Sequence, residues 1–376
     1  MISRALTNRI DSWLFKGKII LLSGPAHVGK TTLCKQVLKT HQQEQAYFSC
    51  LRHNVRTALQ KGDIAEIKKL VGSSRLAVFD DADGIENIGT TLKALREACP
   101  DLQIIACSSS RIDFPDTPEE PAYQYVVPFM LHPLSLNELQ GHVDEKDLDA
   151  RLGDYLRFGL CPAVLSAPAE QRKEILMALS EEFLYKDLLQ FESMKNANKM
   201  SELLKVLAAN LGEELSVHEL AATLDFSRST VERFLTILEK TFVIIKAPSF
   251  TRNFKRELNK KAKYYFYDLG FRNALLNKFD TLDRHPDVDA LWENFCVLER
   301  LKFLSIQGHY PNIHFWRTHD RQKVGYLEDR NNALTGFEFK WSPQRKAFNP
   351  PKAFSDHYPE TQVRFITQQN WQHLFY

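Results

Sequence analysis

The octapeptide Gly24-Pro25-Ala26-His27-Val28-Gly29-Lys30-Thr31 constrains this chain more than any other stretch. It has the form G-x-x-x-x-G-K-T and follows the short apolar run Ile19–Leu22. The pattern predicts a strand, this loop, then a helix through about Lys39 with Leu33, Val37 and Leu38 facing the core. Glycines let the backbone curl so that its N–H groups converge on an anion, and the helix N-terminus adds a favourable dipole. Gly24, Pro25, Ala26, His27, Val28, Gly29, Lys30, Thr31 and Thr32 are therefore the expected cradle for a nucleotide. Lys30 would reach the β- and γ-phosphate oxygens, and Thr31 would place its hydroxyl on Mg2+.

The second half of such a site is a strand ending in acid, and "RLAVFDDADGI" supplies it: Leu76–Phe79 are apolar and Asp80-Asp81 follow. Asp80 is the expected metal residue, acting through water, and Asp81 the residue that polarises an attacking water beside Lys30. An aspartate there is one methylene shorter than the usual glutamate, which predicts slow hydrolysis. A third apolar run, "LQIIACSSS", ends in Ser108 and Ser109, either of which could sense a γ-phosphate. Strands alternating with helical stretches imply an α/β fold with a parallel sheet covered on both faces. A phosphotransferase also uses such a loop, but no segment reads as a lid carrying several arginines.

With 376 residues the chain has room for two or three cores. No apolar run approaches the roughly 20 residues of a membrane span. The start reads as an amphipathic helix with Ile2, Leu6, Ile10 and Leu14 on one side, and it lacks a signal-peptide core. Six cysteines are scattered singly with no C-x-x-C, which argues against a zinc site or disulfide framework and for a reducing cytoplasm. Charge is uneven: Met1–Ile245 carries 28 basic against 33 acidic side chains, Lys246–Tyr376 carries 21 against 14. The C-terminal part is the better candidate to meet a polyanion.

After "PLSLNEL" (Pro133–Leu139) the chain turns helical. "LSVHELAATLDFSRSTVERFLTILEKTFVI" has the form of a helix-turn-helix. Ser216 and Ser227 cap the two helices; Leu220, Ala221, Leu224, Val231, Leu235 and Leu238 face inward; Arg228, Thr230 and Arg233 face out. The run Arg252, Lys255, Arg256, Lys260, Lys261 and Lys263 then precedes a strand as a wing hairpin would, and suits phosphate contacts with duplex DNA. Winged helices also serve protein partners, so both partner classes stand.

"LWENFCVLERLKFL" reads as an amphipathic helix bearing Glu293, Glu299 and Arg300. "IHFWR", "KVGYL" and "GFEFKW" read as a strand meander. Helix then strands, with Glu293 and the Glu338-x-Lys340 pair, matches the order of the PD-(D/E)xK nuclease-like core. The whole chain resembles the AAA-type P-loop ATPases of bacteria and archaea that carry a C-terminal domain of unknown function with that nuclease-like fold. The likeness rests on GPAHVGKTT, VFDDAD, the serine-ended strand, PLSLNEL, the Y-x-x-F-G-x-x-P segment Tyr155–Pro162, the helix-turn-helix, YYFYDLG, WENF, FWR and FEFK, in that order.

The resemblance implies ATP as the nucleotide, Mg2+ as the metal, and nucleotide binding by Gly29, Lys30, Thr31 and Asp80. The sequence departs from the family pattern at Asp81, where glutamate is usual, and at Gln124-Tyr125, where a Gly-Arg pair is usual. It departs again at Lys323-Val324-Gly325, where Glu-Val-Asp is usual. Gly325 offers no oxygen to a metal that Glu338 would share, and Lys323 is placed to pair with Glu338. Glu338 and Lys340 then read as an inherited buried pair. The expected layout is a P-loop nucleotide-binding domain at 1–135, a helical segment at 136–200, a winged helix-turn-helix at 201–268 and a nuclease-like domain without nuclease activity at 269–376. The expected function is an ATP-dependent switch with slow hydrolysis. An ATP-gated nuclease and a DNA-binding regulator insensitive to nucleotide are the alternatives.

Overall fold

The computed structural model describes residues 2–41, 45–184, 194–250, 261–282, 286–318, 322–342 and 348–375. The chain forms two compact units, Met1–Leu134 with Lys240–Phe242, and Ser135–Glu239 with Val243–Tyr376. No helix among the described residues is long and apolar enough to cross a membrane.

The first unit alternates strand and helix: α1 (Thr7–Trp13), β1 (Ile19–Ser23), α2 (Lys30–Thr40), β2 (Gln45–Ser49), α3 (His53–Lys61), α4 (Ile64–Val71), β3 (Leu76–Asp80), α5 (Ile88–Ala98), β4 (Gln103–Ser108) and β5 (Val126–Met130). The strands form one parallel sheet in the order β2-β3-β4-β1-β5. Strand side chains alternate faces, and the two cores follow that period. Ile19, Leu21, Ala77, Phe79, Ile104 and Ala106 pack with Val55, Leu59, Ile67, Leu92 and Leu95 of α3–α5. Ile20, Leu22, Leu76, Val78, Ile105 and Cys107 pack with Ile10 of α1 and Leu33, Cys34, Val37 and Leu38 of α2. Covering on both faces explains why these strands read as continuous apolar runs.

From β1 the chain crosses to the far edge at β2, fills inward through β3 and β4, and closes on the other side with β5. Strand order therefore reverses at β1, and the loop after β1 opens where α/β sheets hold ligands. The N-terminal helix is shorter than its apolar spacing predicts. Leu6, Ile10 and Leu14 are buried as expected, but helix forms only over Thr7–Trp13.

The second unit begins with α6 (Leu136–Gln140), α7 (Glu145–Phe158), α8 (Pro162–Leu165), α9 (Arg172–Glu182) and α10 (Met194–Ala209). Next come α11 (Val217–Leu224), α12 (Arg228–Lys240) and the antiparallel pair β6 (Ile244–Pro248) and β7 (Ala262–Phe266). Ser216 caps α11 in a reciprocal box with Glu219, and the Ser227 hydroxyl accepts from the Thr230 amide at the start of α12. Leu220, Ala221, Val231, Phe234, Leu235 and Leu238 are buried. The unit ends with α13 (Leu269–Leu276), α14 (Val288–Ile306), β8 (Asn312–Arg317), β9 (Lys323–Arg330), β10 (Ala333–Phe339), α15 (Lys352–His357) and β11 (Gln362–Ile366). Strands β8–β10 form an antiparallel meander, and β11 returns parallel to β10, giving the order β11-β10-β9-β8.

Two segments singled out in the sequence lock together here. Tyr155–Pro162 and Tyr264–Gly270 meet where a Cβ on Gly159 would lie 2.1 Å from Asp268 Oδ1 and one on Gly270 would lie 2.2 Å from the Phe158 carbonyl. Asp268 accepts from the Leu160 and Phe271 amides. Gly270 is required by close backbone approach, and Gly159 by its positive φ (71°) against the Asp268 side chain, so these motifs are a packing joint.

Candidate nucleotide site and the C-terminal acidic cluster

The loop between β1 and α2 is held open by its neighbours. The Gly24 amide donates to the Ser108 carbonyl at 3.2 Å, and the Leu131 amide donates to the Ser23 carbonyl at 2.7 Å. A Cβ on Gly24 would lie 2.1 Å from the Leu131 oxygen, so no other residue fits there. His27 and Gly29 have positive φ (63° and 96°), turning the loop back before α2 begins at Lys30. Pro25, Ala26 and Gly29 are half-buried, His27 and Thr32 exposed, Val28 buried.

Lys30 is buried and its ammonium donates to the Gly24 and Pro25 carbonyls at 2.9 and 2.8 Å. Burial pulls its pKa down, and Asp83, then Cys107, Asp80 and Asp81, push back. Neutral carbonyls hold an ammonium weakly compared with an anion, so the lysine is braced across the loop mouth and free to exchange partners. The Thr31 hydroxyl donates to Asp80 Oδ2 at 2.6 Å, which leaves the Thr31 oxygen lone pairs for a cation. Asp81 has a left-handed backbone (φ 56°), a conformation aspartate tolerates better than most residues, and its amide donates to Asp80 Oδ1 at 3.2 Å. Burial, then Asp80 and Asp83, raises the Asp81 carboxyl pKa, and Lys30 opposes them. A curled amide loop, a buried lysine and a hydroxyl–carboxylate pair fit the triphosphate and hard cation of Mg-ATP.

The structure separates the two serines at the end of β4. The Ser108 hydroxyl is fully buried and donates to the Ser110 carbonyl inside a turn. Ser109 is half-buried, and its amide donates to Asp83 Oδ1 at 3.2 Å. Tyr125, one of the two residues that stand where the Gly-Arg pair is usual, is a core residue whose ring lies under Lys93 and Arg96.

Three further polar groups lie at the site, of which Tyr47 and Arg4 have no signature in the sequence and Asp83 sits in the VFDDAD stretch. The Tyr47 hydroxyl on β2 donates to Asp80 Oδ2 at 2.7 Å. Arg4 donates to the Val28 carbonyl at 2.7 Å and the His132 carbonyl at 2.6 Å, anchoring the loop from behind. Asp83 contributes charge near Lys30 and Asp81.

In the second unit Gly325, Glu293 and Glu338 do converge. A Cβ on Gly325 would lie 3.2 Å from Glu338 Oε2 and 3.7 Å from Glu293 Oε2. The cation among them is Lys263 of β7. It is 3% exposed, with Nζ 2.7 Å from Glu293 Oε1 and 3.3 Å from the Gly325 carbonyl. The Tyr265 hydroxyl also donates to Glu293, and the Gly325 amide donates to Glu338. Burial and the neighbouring Glu293 raise the Glu338 pKa.

This corrects three sequence readings. Lys340 does not pair with Glu338: it lies exposed and bonds Asp289 at 2.9 Å, because it follows the end of β10. Lys323 is exposed, and its place beside the carboxylates is taken by Lys263. Lys261 and Lys263, read as phosphate contacts, are spent on Glu219 and Glu293. Arg252, Lys255, Arg256 and Lys260 lie outside the described residues. Glu328 faces away, as the strand period requires, and is bound by Arg300 at 2.9 and 3.1 Å.

Comparison with known proteins gives three family matches along the chain. Residues 16–140 match the family described as AAA domain, residues 149–282 the domain of unknown function DUF8612, and residues 288–374 the domain of unknown function DUF4143. An uncharacterized protein of Mycobacterium tuberculosis, Rv2008c, is 28% identical over 339 residues, covering 88% of this chain and 72% of its own. An uncharacterized protein of Methanocaldococcus jannaschii, MJ1637, is 22% identical over 344 residues, covering 81% and 72%. Among solved structures, the RuvB Holliday junction branch migration motor of Thermotoga maritima aligns with a TM-score of 0.35 at 15% identity, covering 66% of this chain and 90% of that one. The first unit thus has the α/β fold of a P-loop domain, with a five-stranded parallel sheet, and is similar over residues 16–140 to the AAA domain family.

Proposed function

We propose that this protein binds Mg-ATP at the β1–α2 loop and hydrolyses it slowly, acting as a nucleotide-dependent switch. The observation that carries the reading is the joining of Thr31 and Asp80, 49 residues apart, by a 2.6 Å hydrogen bond beside the buried Lys30. In this reading Gly24–Thr32 hold the phosphates, Lys30 leaves the loop carbonyls for the β/γ oxygens, and Thr31 and Asp80 hold the metal and its water. Mg2+ when bound neutralises phosphate charge. Asp81 accepts the proton of the attacking water. The test is calorimetry with ATP and Mg2+: the wild type binds, and Lys30→Ala loses binding by about 100-fold or more, as removal of a buried charge partner requires. Equal affinity in both would end the assignment.

We further propose the layout 1–135, 136–200, 201–268 and 269–376 given above, with the helix-turn-helix and β6–β7 pair read as a winged helix. Duplex DNA is its partner in a second reading, carried by the exposed Arg228 and Arg233 on α12. Affinity for any duplex should fall steeply with salt, and Arg228→Glu with Arg233→Glu should weaken all sequences alike. No binding at low salt, with or without ATP, assigns this module to a protein partner. The C-terminal unit is read as nuclease-like in its helix, three-strand meander, helix, strand order, with Lys263 standing where a metal would be needed.

A further inference from the structure

We propose that Tyr47 is a positioning residue for the metal: its hydroxyl fixes the Asp80 carboxylate in the orientation that receives Mg2+. The inference rests on the Mg-ATP reading above and deepens it.

Asp80 is 1% exposed and ends β3. Its Oδ2 takes two hydroxyl donors, Thr31 at 2.6 Å and Tyr47 at 2.7 Å, while Oδ1 takes the Asp81 amide at 3.2 Å. The geometry is imposed by the sheet. Strand β2 pairs parallel with β3, Tyr47 opposite Val78, and Ser49 opposite Asp80. A tyrosine two residues before the strand's end has the length for its hydroxyl to reach the carboxylate at the end of the neighbouring strand. A shorter hydroxyl residue there would not.

Tyr47 is the donor in this contact, because a phenol is protonated in the neutral range and Asp80 Oδ2 can only accept when ionised. The Lys35 ammonium lies over the Tyr47 ring, 5.1 Å from its centre, a cation–π contact that helps hold the ring. A carboxylate with two oxygens has about four lone-pair positions. Three donors occupy three of them, so the direction left for a metal-bound water is set by the donors. Without Tyr47 the carboxylate keeps its charge but gains a rotational degree of freedom. The cost then appears when Mg2+ is bound, and nucleotide binding without metal is spared.

The experiment titrates Mg2+ at fixed ATP against wild type, Tyr47→Phe and Asp80→Asn, reading both nucleotide affinity and turnover. It also measures ATP affinity in EDTA. Tyr47→Phe retains the ring and so the packing. It should match wild type in EDTA, while its Mg2+ midpoint rises about tenfold, the lower end for a hydrogen bond to a charged group. Asp80→Asn should show a larger shift of the same kind. An unchanged Mg2+ midpoint in Tyr47→Phe overturns the inference. So does equal loss of affinity with and without Mg2+, which would make Tyr47 a packing residue. Failure of wild type to bind ATP at all instead removes the nucleotide reading itself.

Discussion

The proposed nucleotide site of the first unit and the acidic cluster of the second use similar parts, a buried lysine beside strand-borne carboxylates, and we read them as having opposite roles. Lys30 bonds two backbone carbonyls of its own loop, and its carboxylates are already shared among hydroxyl and amide donors. Lys263 bonds a carboxylate directly, 2.7 Å from Glu293, with its stem fixed in β7. The first ammonium gives up only neutral acceptors when an anionic ligand arrives. The second would leave two glutamates facing each other in a poorly solvated place. The difference teaches that a lysine near acids signals a ligand site only when its present partners are cheaper to lose than its future ones.

The largest effect should come from breaking the second arrangement. Lys263→Ala leaves Glu293 and Glu338 without their buried cation, and removal of one member of a buried pair costs about 3 kcal/mol or more. Denaturation followed at the C-terminal unit should show this, and Lys263→Met combined with Glu293→Gln should recover most of it. A shift below about 1 kcal/mol would show that the ammonium is dispensable. The same comparison predicts that purified protein with Mg2+ or Mn2+ leaves DNA and RNA intact. Cleavage that Glu338→Ala abolishes would break it outright.

A smaller effect sharpens the first arrangement. Asp81→Asn should keep ATP binding and lose turnover by about 100-fold, the lower range for removal of a positioned general base. Undiminished turnover would move the role to another group. The smallest effect is in pH. In the proposed role Asp81 must be ionised; its pKa is raised by burial, Asp80 and Asp83, so the expected activity is lost as pH falls through that raised value. Asp83→Asn removes one raising charge, so the acid limb of kcat/KM should move to lower pH. A limb that moves up, or stays, would separate Asp83 from the site.

Much of the first unit was legible because its information is contiguous. Strand β1, the loop and α2 span 22 adjacent residues, Ile19–Thr40, and each step follows from neighbours in sequence. The Asp80-Asp81 pair was legible for the same reason. Tyr47 and Arg4 were not, since one tyrosine and one arginine among many carry no local pattern. The C-terminal cluster was half legible. Gly325 opposite Glu338 follows from the meander, whereas Lys263 belongs to a different sheet and sits in a basic run whose local pattern suits phosphate contacts. Lys340 was misplaced because β10 ends at Phe339, one residue before the strand period could turn it inward.

The sequence by itself determined the α/β class, the strand–loop–helix of β1 and α2, the strand-end acids and the alternation that puts Glu328 on the far side from Gly325. These depend on period, spacing and backbone freedom, which are properties of short segments. Tertiary structure alone decided that Tyr47 joins Thr31 on Asp80, that Lys263 fills the space between Glu293 and Gly325, and that Asp289 takes Lys340. Those pairings depend on which strands become neighbours and in what register, and on which long side chain reaches a buried carboxylate when the core closes. No segment holds that information, because burial and its electrostatic cost exist only once the sheets have formed.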